Sequence, residues 1–376
     1  MRDGENYPER GGPFVSFVTH GRYDNYRGNS RWRLEMCLNS LALACEELGE
    51  LENVEVLVTD WGSEVPLSQV LRLLPAARRI TRLVYVPPQL AARLQKDSGY
   101  PVTLAMNTTI RRARGEFVAR MDLDAVFTRA VVERLLKILR GQEQRVKVDP
   151  HRVLLSAVKR QIPHRIVRLE PDLPTYVRLV ERYGRLTGYR PLLTEDLSGP
   201  VVEVLAREIW HETRGYDERM LYMSGMEHDL NARLRLKYTL INLTRYGFSF
   251  YHSEHDEPPP KHQDRHNPNP PPPRAIAVNA DDWGLAAYDL KVEFANENPD
   301  LTGLIAGGPR ISEKYVLLCA ILGYLKWRAI HFSFSPAGES LFRFFSHPVI
   351  RPVARVPSRI LRRIVIGLLK SWGPGH

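Results

Sequence analysis

Cysteine is scarce. The three present, Cys37, Cys45 and Cys319, are too few and too irregularly spaced for a disulfide framework or a zinc site. Cys37 and Cys45 fall on one expected helix and read as small buried hydrophobes, which fits a reducing, cytosolic setting. No uncharged apolar run approaches the ~18 residues of a bilayer-spanning helix. The opening stretch, Met1 to Pro13, is polar and has no apolar signal-peptide core. No internal repeat is visible. Acidic side chains are almost missing from the C-terminal end: residues 311–376 hold ten basic groups and only Glu313 and Glu339 against them, so most of the net charge of +10 lies there. A nucleic-acid binder would spread its basicity over the fold, so no nucleic-acid partner is expected.

What is present is an ordinary globular composition, 43% hydrophobic and 26% charged over 376 residues, enough for one large domain or two ordinary ones. Strand and helix patterns alternate. Strands are predicted at 14–20, 54–59, 80–86 and 116–121, and helices at 30–48, 66–74, 101–113 and 128–140. Helix 30–48 carries Leu34, Cys37, Leu38, Leu41 and Ala42 on one face. This alternation predicts an α/β fold with a doubly wound, mostly parallel central sheet and flanking helices. Further strands are predicted at 152–158, 200–205, 239–243 and 248–252, and helices at 174–186 and 226–236. Residues 256–274 hold eight prolines, four of them consecutive at Pro270 to Pro273, and read as a surface strap. The expected division is a catalytic unit over 14–256, a proline-rich strap and accessory segment over 257–310, and a basic amphipathic helical tail over 311–376.

The most informative passage runs from Arg111 to Asp124. A basic helix end leads into a short apolar strand that finishes in Asp122 and Asp124. Strand periodicity puts the two carboxylates on one side of the backbone, where they repel unless a cation lies between them. A divalent metal clamping a diphosphate suits that position, because ligands in such sheets sit beyond the carboxyl ends of strands. His20 and Asp60 end neighbouring strands on the same edge.

Four more groups carry chemistry. Asn107, Arg111 and Arg114 share a helix face, and Arg111 is the candidate for holding a phosphate; basic residues offsetting the helix dipole are the alternative. Asp60, just past a buried strand, can accept a hydrogen bond from a base or ribose, or open an Asx turn into Gly62. His252 and His255 close the apolar run Phe248 to Tyr251, and His252 joining carboxylates makes a mixed N/O site that favours Mn²⁺ or Mg²⁺ over structural zinc. Glu227 or Asp229, at the start of a helix, can serve as the base that takes a proton from an acceptor hydroxyl.

Taken in order, these blocks resemble the family 2-type glycosyltransferases of the GT-A fold. Val54 to Glu64, Asn107 to Asp124, Gly215 to Leu234 and His252 are each similar to a family passage, and together they span residues 14–256. The resemblance implies that Asp60 contacts the nucleobase, that Asp122 and Asp124 contact ribose and metal, and that His252 completes the metal shell. The acidic block Glu227-His228-Asp229-Leu230 is one residue shorter than the family's, so the base stays open between Glu227 and Asp229.

The expected activity is metal-dependent transfer of a sugar from a nucleotide-diphosphate sugar to a hydroxyl of a glycan or lipid-linked glycan, with inversion. One alternative is nucleotidyl transfer onto a sugar phosphate. The single glycine in Thr19-His20-Gly21-Arg22-Tyr23-Asp24 counts against it, since such enzymes carry a glycine-rich loop there. The other alternative is a non-catalytic binding protein at a membrane surface. The tail, with Tyr315 to Leu325 and Ile360 to Lys370, has a make-up suited to an anionic membrane interface, which would make the protein peripheral at the inner face; a helical lid is the competing reading.

Overall fold

The computed structural model describes residues 12–187, 201–222, 225–256, 267, 272–297 and 300–333. Most of the proline-rich strap and the segment Ile360 to Lys370 lie outside the described residues. The strands are β1 (Val15–Gly21), β2 (Val54–Trp61), β3 (Thr81–Val86), β4 (Phe117–Met121), β5 (Ala125–Val126), β6 (Val153–Ser156), β7 (Lys159–Ile162), β8 (Val202–Ala206), β9 (Thr239–Asn242), β10 (Phe250–Ser253) and β11 (Lys291–Phe294).

β3, β2, β1 and β4 run parallel in that order and form the centre of the fold. Their near-continuous apolar sequences are what strands covered on both faces require, and every residue of β2 is buried. β8 lies antiparallel to both β4 and β6, β9 parallel to β6, and β11 antiparallel along the outer side of β3. The result is an eight-stranded sheet with an α/β architecture as expected. Helix Ser30–Leu48 packs against helices Pro75–Ile80 and Arg129–Leu139. It ends at Gly49, whose left-handed backbone (φ 70°) lets its N–H reach the carbonyls of Cys45 and Glu46. Helix Val102–Arg112 lies against β1 and β2, where Thr59 Oγ1 donates to the Ala105 carbonyl at 2.7 Å. A Cβ on Gly115 would stand 2.5 Å from the Ser16 nitrogen, so only glycine fits where this helix turns into β4 beside β1.

A second sheet, in the order β5-β10-β7, was not expected. The run 152–158 reads as one strand, but the chain leaves the main sheet after Ser156 and enters the second sheet at Lys159. Ala157 and Val158 are apolar and buried, so hydrophobicity gives no sign of the break. The switch is held by hydrogen bonds from the Val158 N–H to Thr244 Oγ1 (2.8 Å) and from the Phe250 N–H to the Val158 carbonyl (3.1 Å). The helix expected at 66–74 is likewise split into Leu67–Val70 and Pro75–Ile80, because Pro75 disfavours helical backbone before it.

Helices Leu173–Tyr183 and Glu313–Ser333 pack onto the second sheet. Ile162, Ile166, Tyr176, Tyr251, Val316 and Cys319 share an apolar cluster there. Among the described residues no helix is long and apolar enough to cross a membrane.

Candidate active site and metal centre

Asp122 and Asp124 follow the C-terminal end of β4, and the chain immediately turns back as β5. Antiparallel pairing sets His252 of β10 opposite Ala125 of β5, and the Ser253 N–H donates to the Asp124 carbonyl at 2.9 Å. This short pairing brings together residues far apart in the chain. His252 Nε2 lies 3.0 Å from Asp124 Oδ1, and His255 Nε2 lies 3.5 Å from Asp124 Oδ2. All three side chains offer ligand atoms within 4.8 Å of one another.

The imidazoles are oriented for ligation. His252 Nδ1 lies 2.8 Å from Gln161 Oε1 and His255 Nδ1 lies 3.0 Å from the Asp256 carbonyl, both acceptors. With an acceptor at each Nδ1, each ring is held with its Nε2 facing Asp124. Arg33 fixes the carboxylate from behind: Nη1 donates to Asp124 Oδ2 at 2.7 Å while Nη2 reaches the carbonyls of Tyr26 (2.8 Å) and Gly28 (3.1 Å). Burial pushes the Asp124 carboxyl up, but His252 above all, with His255 and Arg33, holds it well below the usual carboxylate range. Burial also pushes His255 down to about 4, against the pull of Asp124. One carboxylate and two imidazole Nε2 atoms, all within 4.8 Å, form a donor set that fits a divalent cation.

Asp122 belongs to a second set centred on Arg120. Arg120 Nη1 lies 2.9 Å from Asp122 Oδ1, Nη2 lies 3.6 Å from Glu227 Oε1, and Nε lies 4.0 Å from Glu203 Oε2. The antiparallel register of β4 and β8 sets Arg120 directly opposite Glu203. Lys159 Nζ approaches the other oxygen, Asp122 Oδ2, at 3.6 Å. Tyr216 donates its hydroxyl to Glu203. Burial pushes Glu203 up to about 7, with Arg120 opposing and Glu227 adding to the rise.

The two candidate bases are placed differently. Glu227 faces Arg120 and is partly open to solvent. Asp229 Oδ2 accepts from Arg233 Nε at 2.8 Å, and both side chains are buried. Arg233 goes on to hold the carbonyls of Thr213 and Gly215. Glu227 thus lies beside the Asp122 set, while Asp229 is engaged in packing the loop.

Asp60, Asn107 and Arg111 lie in other surroundings. The Asp60 carboxylate accepts from the Ser63 hydroxyl and from the Leu67 N–H (2.7 Å) in a buried turn. Burial raises its pKa to about 6 against those hydrogen bonds. Asn107 is fully buried: its Oδ1 accepts from the Tyr216 N–H (2.8 Å) and its Nδ2 donates to the Tyr216 carbonyl (2.8 Å) and Glu218 Oε1 (3.0 Å). A Cβ on Gly215, whose φ is +71°, would collide with that amide. Asn107 therefore braces the turn leading to Glu227. Arg111 lies at the C-terminal end of its helix, which precedes β4, so roughly five strand residues at ~3.3 Å each separate that level of the sheet from Asp122. It donates to the Asp281 carbonyl (2.8 Å) and its guanidinium lies 5.2 Å from the Trp283 ring centre. The whole basic cluster is used this way, with Arg112 on the Gly284 carbonyl and Arg114 on Glu55.

Arg33, Arg120, Lys159, Gln161, Glu203 and Tyr216 were not singled out by sequence. One signal was there: Arg120 and Glu203 are each a single charge inside an apolar strand, and of opposite sign.

No protein-family model and no curated protein matches the chain. Among solved structures, TarS 1-349 of S. aureus is similar at 15% identity over 64% of this chain and 60% of that one, with a TM-score of 0.39. A further S. aureus TarS structure is matched over 36% of its length. The mannosyltransferase PcManGT from Pyrobaculum calidifontis, in complex with GDP-Man and Mn²⁺, is similar at 16% identity over 95% of this chain and 88% of that one, also at a TM-score of 0.39. Likenesses of this size bear on neither substrate nor mechanism, and the chemistry is read from the site.

Proposed function

We propose that this chain is a glycosyltransferase that moves a sugar from a nucleotide-diphosphate sugar to a hydroxyl of a glycan or lipid-linked glycan. The observation that carries the reading is the convergence of Asp124, His252 and His255 within 4.8 Å at the carboxyl edge of the sheet, beside Glu227 and the Arg120 cluster. Asp124, His252 and His255 would hold Mn²⁺ or Mg²⁺; two imidazoles favour Mn²⁺, because Mg²⁺ prefers oxygen ligands. The cation, when bound, neutralises charge on the departing diphosphate.

Glu227 takes the proton of the acceptor hydroxyl. The hydroxyl oxygen attacks the anomeric carbon as the bond from that carbon to the diphosphate oxygen breaks. A single displacement of this kind inverts the configuration. Arg120, held between Asp122, Glu203 and Glu227, fixes the distance between the base and the donor side of the site. Asp122 is left to the ribose, and Asp60 serves the nucleobase by shaping the turn at Ser63 rather than by a free carboxylate.

The tail gives the protein a peripheral place at the inner face of a membrane. Support comes from helix Glu313–Ser333: Tyr315, Val316, Cys319 and Ala320 are buried, while Leu317, Ile321, Tyr324 and Leu325 are exposed at helical spacing. The sequence beyond them is strongly basic, the combination an anionic interface attracts.

A thermal-shift screen of nucleoside diphosphates and their sugars, with Mn²⁺ and with EDTA, tests the activity class. One donor set should stabilise the protein only with the metal. Nucleotide binding unaffected by EDTA and by Asp124→Ala would refute the proposal.

A further inference from the structure

We propose that Tyr216 and Glu203 are positioning residues for the base: together they hold the Arg120 guanidinium back from Glu227, so that the Glu227 carboxylate keeps an oxygen open to the incoming hydroxyl. The role of Glu227 rests on the sugar-transfer reading; the restraint on Arg120 does not.

Glu227 lies in the first turn of helix Met226–Leu234. Among the described residues its carboxylate is paired with Arg120, Nη2 to Oε1 at 3.6 Å, an ion pair too long to be a hydrogen bond. A guanidinium free to close on a carboxylate makes a short, bidentate pair and occupies both oxygens. A carboxylate held that way has no lone pair aimed at a substrate proton. Glu203 opposes such closure from the other side. The register of β4 and β8 sets it directly across from Arg120, with Oε2 4.0 Å from Arg120 Nε.

Glu203 is an expensive residue to keep there. It is fully buried, it is the one charge in the apolar strand β8, and among the described residues its Oε1 has no hydrogen-bond partner. A buried carboxyl with half its bonding unmet weakens a fold. Its place beside the base and the cation cage gives it a use other than packing.

Tyr216 fixes where that carboxyl stands. The side chain is fully buried and its hydroxyl donates to Glu203 Oε2. Its backbone is clasped from two sides. Asn107 bonds both its N–H and its carbonyl, at 2.8 Å each, and Asn279 Nδ2 reaches the same carbonyl at 2.6 Å. Asn279 Oδ1 also accepts from the Glu218 N–H at 3.0 Å. With its main chain held so, the Tyr216 hydroxyl sets Glu203 Oε2 against Arg120. The series Asn107, Tyr216, Glu203, Arg120 and Glu227 thus carries the rigidity of helix Val102–Arg112 to the base.

The test uses the full chain with Mn²⁺, with UDP-glucose, UDP-N-acetylglucosamine or GDP-mannose as donor, water as acceptor, and release of UDP or GDP as the readout. In Tyr216→Phe and in Glu203→Gln, kcat on the accepted donor should fall about 10- to 100-fold, the scale of a small misplacement at a reacting centre. KM for the donor, and Mn²⁺ affinity read by electron paramagnetic resonance, should stay within about twofold, and the melting temperature of Glu203→Gln should not fall. Tyr216→Phe added to Glu227→Gln should slow that variant less than about twofold, because the effect acts through Glu227. A crystal structure of Glu203→Gln should show Arg120 Nη2 within about 3 Å of Glu227 Oε1. Unchanged kcat in both variants, a matching loss in KM or in Mn²⁺ affinity, the full loss repeated in the Glu227→Gln background, or an unmoved Arg120 overturns the proposal. If the wild type releases neither UDP nor GDP, the sugar-transfer reading loses its support, and the crystal structure alone decides whether Glu203 restrains Arg120.

Discussion

Removing the Asp124 carboxylate should cost the protein stability before any ligand is added. In Asp124→Ala the Arg33 guanidinium, 1% exposed, loses its only charged partner among those described, and two imidazoles lose the group they face. Breaking a buried pair from one side costs about 3–5 kcal/mol, because the surviving charge stays buried. Against a typical total of roughly 5–15 kcal/mol, that is a large fraction. Urea denaturation followed by the fluorescence of buried Trp32, Trp61 and Trp210 reads the loss as a lower midpoint at an unchanged slope. Mn²⁺ supplies the second half of the experiment. At a hundred times its dissociation constant it should stabilise the wild type by about 2.7 kcal/mol and leave the variant unmoved. Arg33→Met in the Asp124→Ala background should then cost far less than Arg33→Met alone, since the two residues act as a pair. A cost below about 1 kcal/mol, or equal Mn²⁺ stabilisation of both proteins, would refute the reasoning.

Three further outcomes are expected. Glu227→Gln should lower turnover by about 10²–10⁴-fold with little change in melting temperature, whereas Asp229→Asn should chiefly destabilise the fold by stranding Arg233; the reverse pattern in paired kinetics and denaturation would move the base to Asp229. Glu203, raised to about 7 by burial, is protonated in the native state over a range where the unfolded chain has lost that proton, so stability should fall as pH rises from about 4.5 to 7 and the contribution stay lost above it; Glu203→Gln should flatten that slope and recover roughly 3 kcal/mol or less at pH 8, and an unchanged pH profile of urea midpoints would contradict this. Ile321→Asp with Leu325→Asp should weaken co-sedimentation with vesicles rich in phosphatidylglycerol while leaving the fold intact; unchanged co-sedimentation would favour a lid over a membrane contact.

The legible part of the fold is the part where one physical signal dominates. β1, β2 and β4 are near-continuous apolar runs because both faces are covered, and helix Ser30–Leu48 carries Leu34, Cys37, Leu38, Leu41 and Ala42 into the main core as expected, though Arg33, Glu35 and Asn39 are buried on its other sides too. β7 was hidden because the strand to its N-terminal side, β6, runs into it through buried apolar residues, and nothing in hydrophobicity marks a change of sheet. The site divides similarly. Asp124 and His252 were readable as strand-end residues with ligand chemistry, and the structure sets them 3.0 Å apart. Which other groups join them depends on register, which sequence spacing does not contain. His255 enters the cage through the turn after β10, while Asp122 points to Arg120 and Lys159. Asn107 and Arg111 share a helix face as expected, but the turn at Gly215 and the segment around Trp283 occupy that face.

The pairing of β5 with β10 has a consequence for how the chain matures. Asp124 leaves the ribosome long before His252 and His255, so a nascent or truncated polypeptide ending ahead of Phe250 owns the acid and neither imidazole. Such a fragment carries one of the three groups proposed to hold the cation and lacks the other two. On the metal reading proposed above, loading would act as a check on completeness: only a polypeptide finished past His255, with both sheets joined, would hold all three proposed ligands.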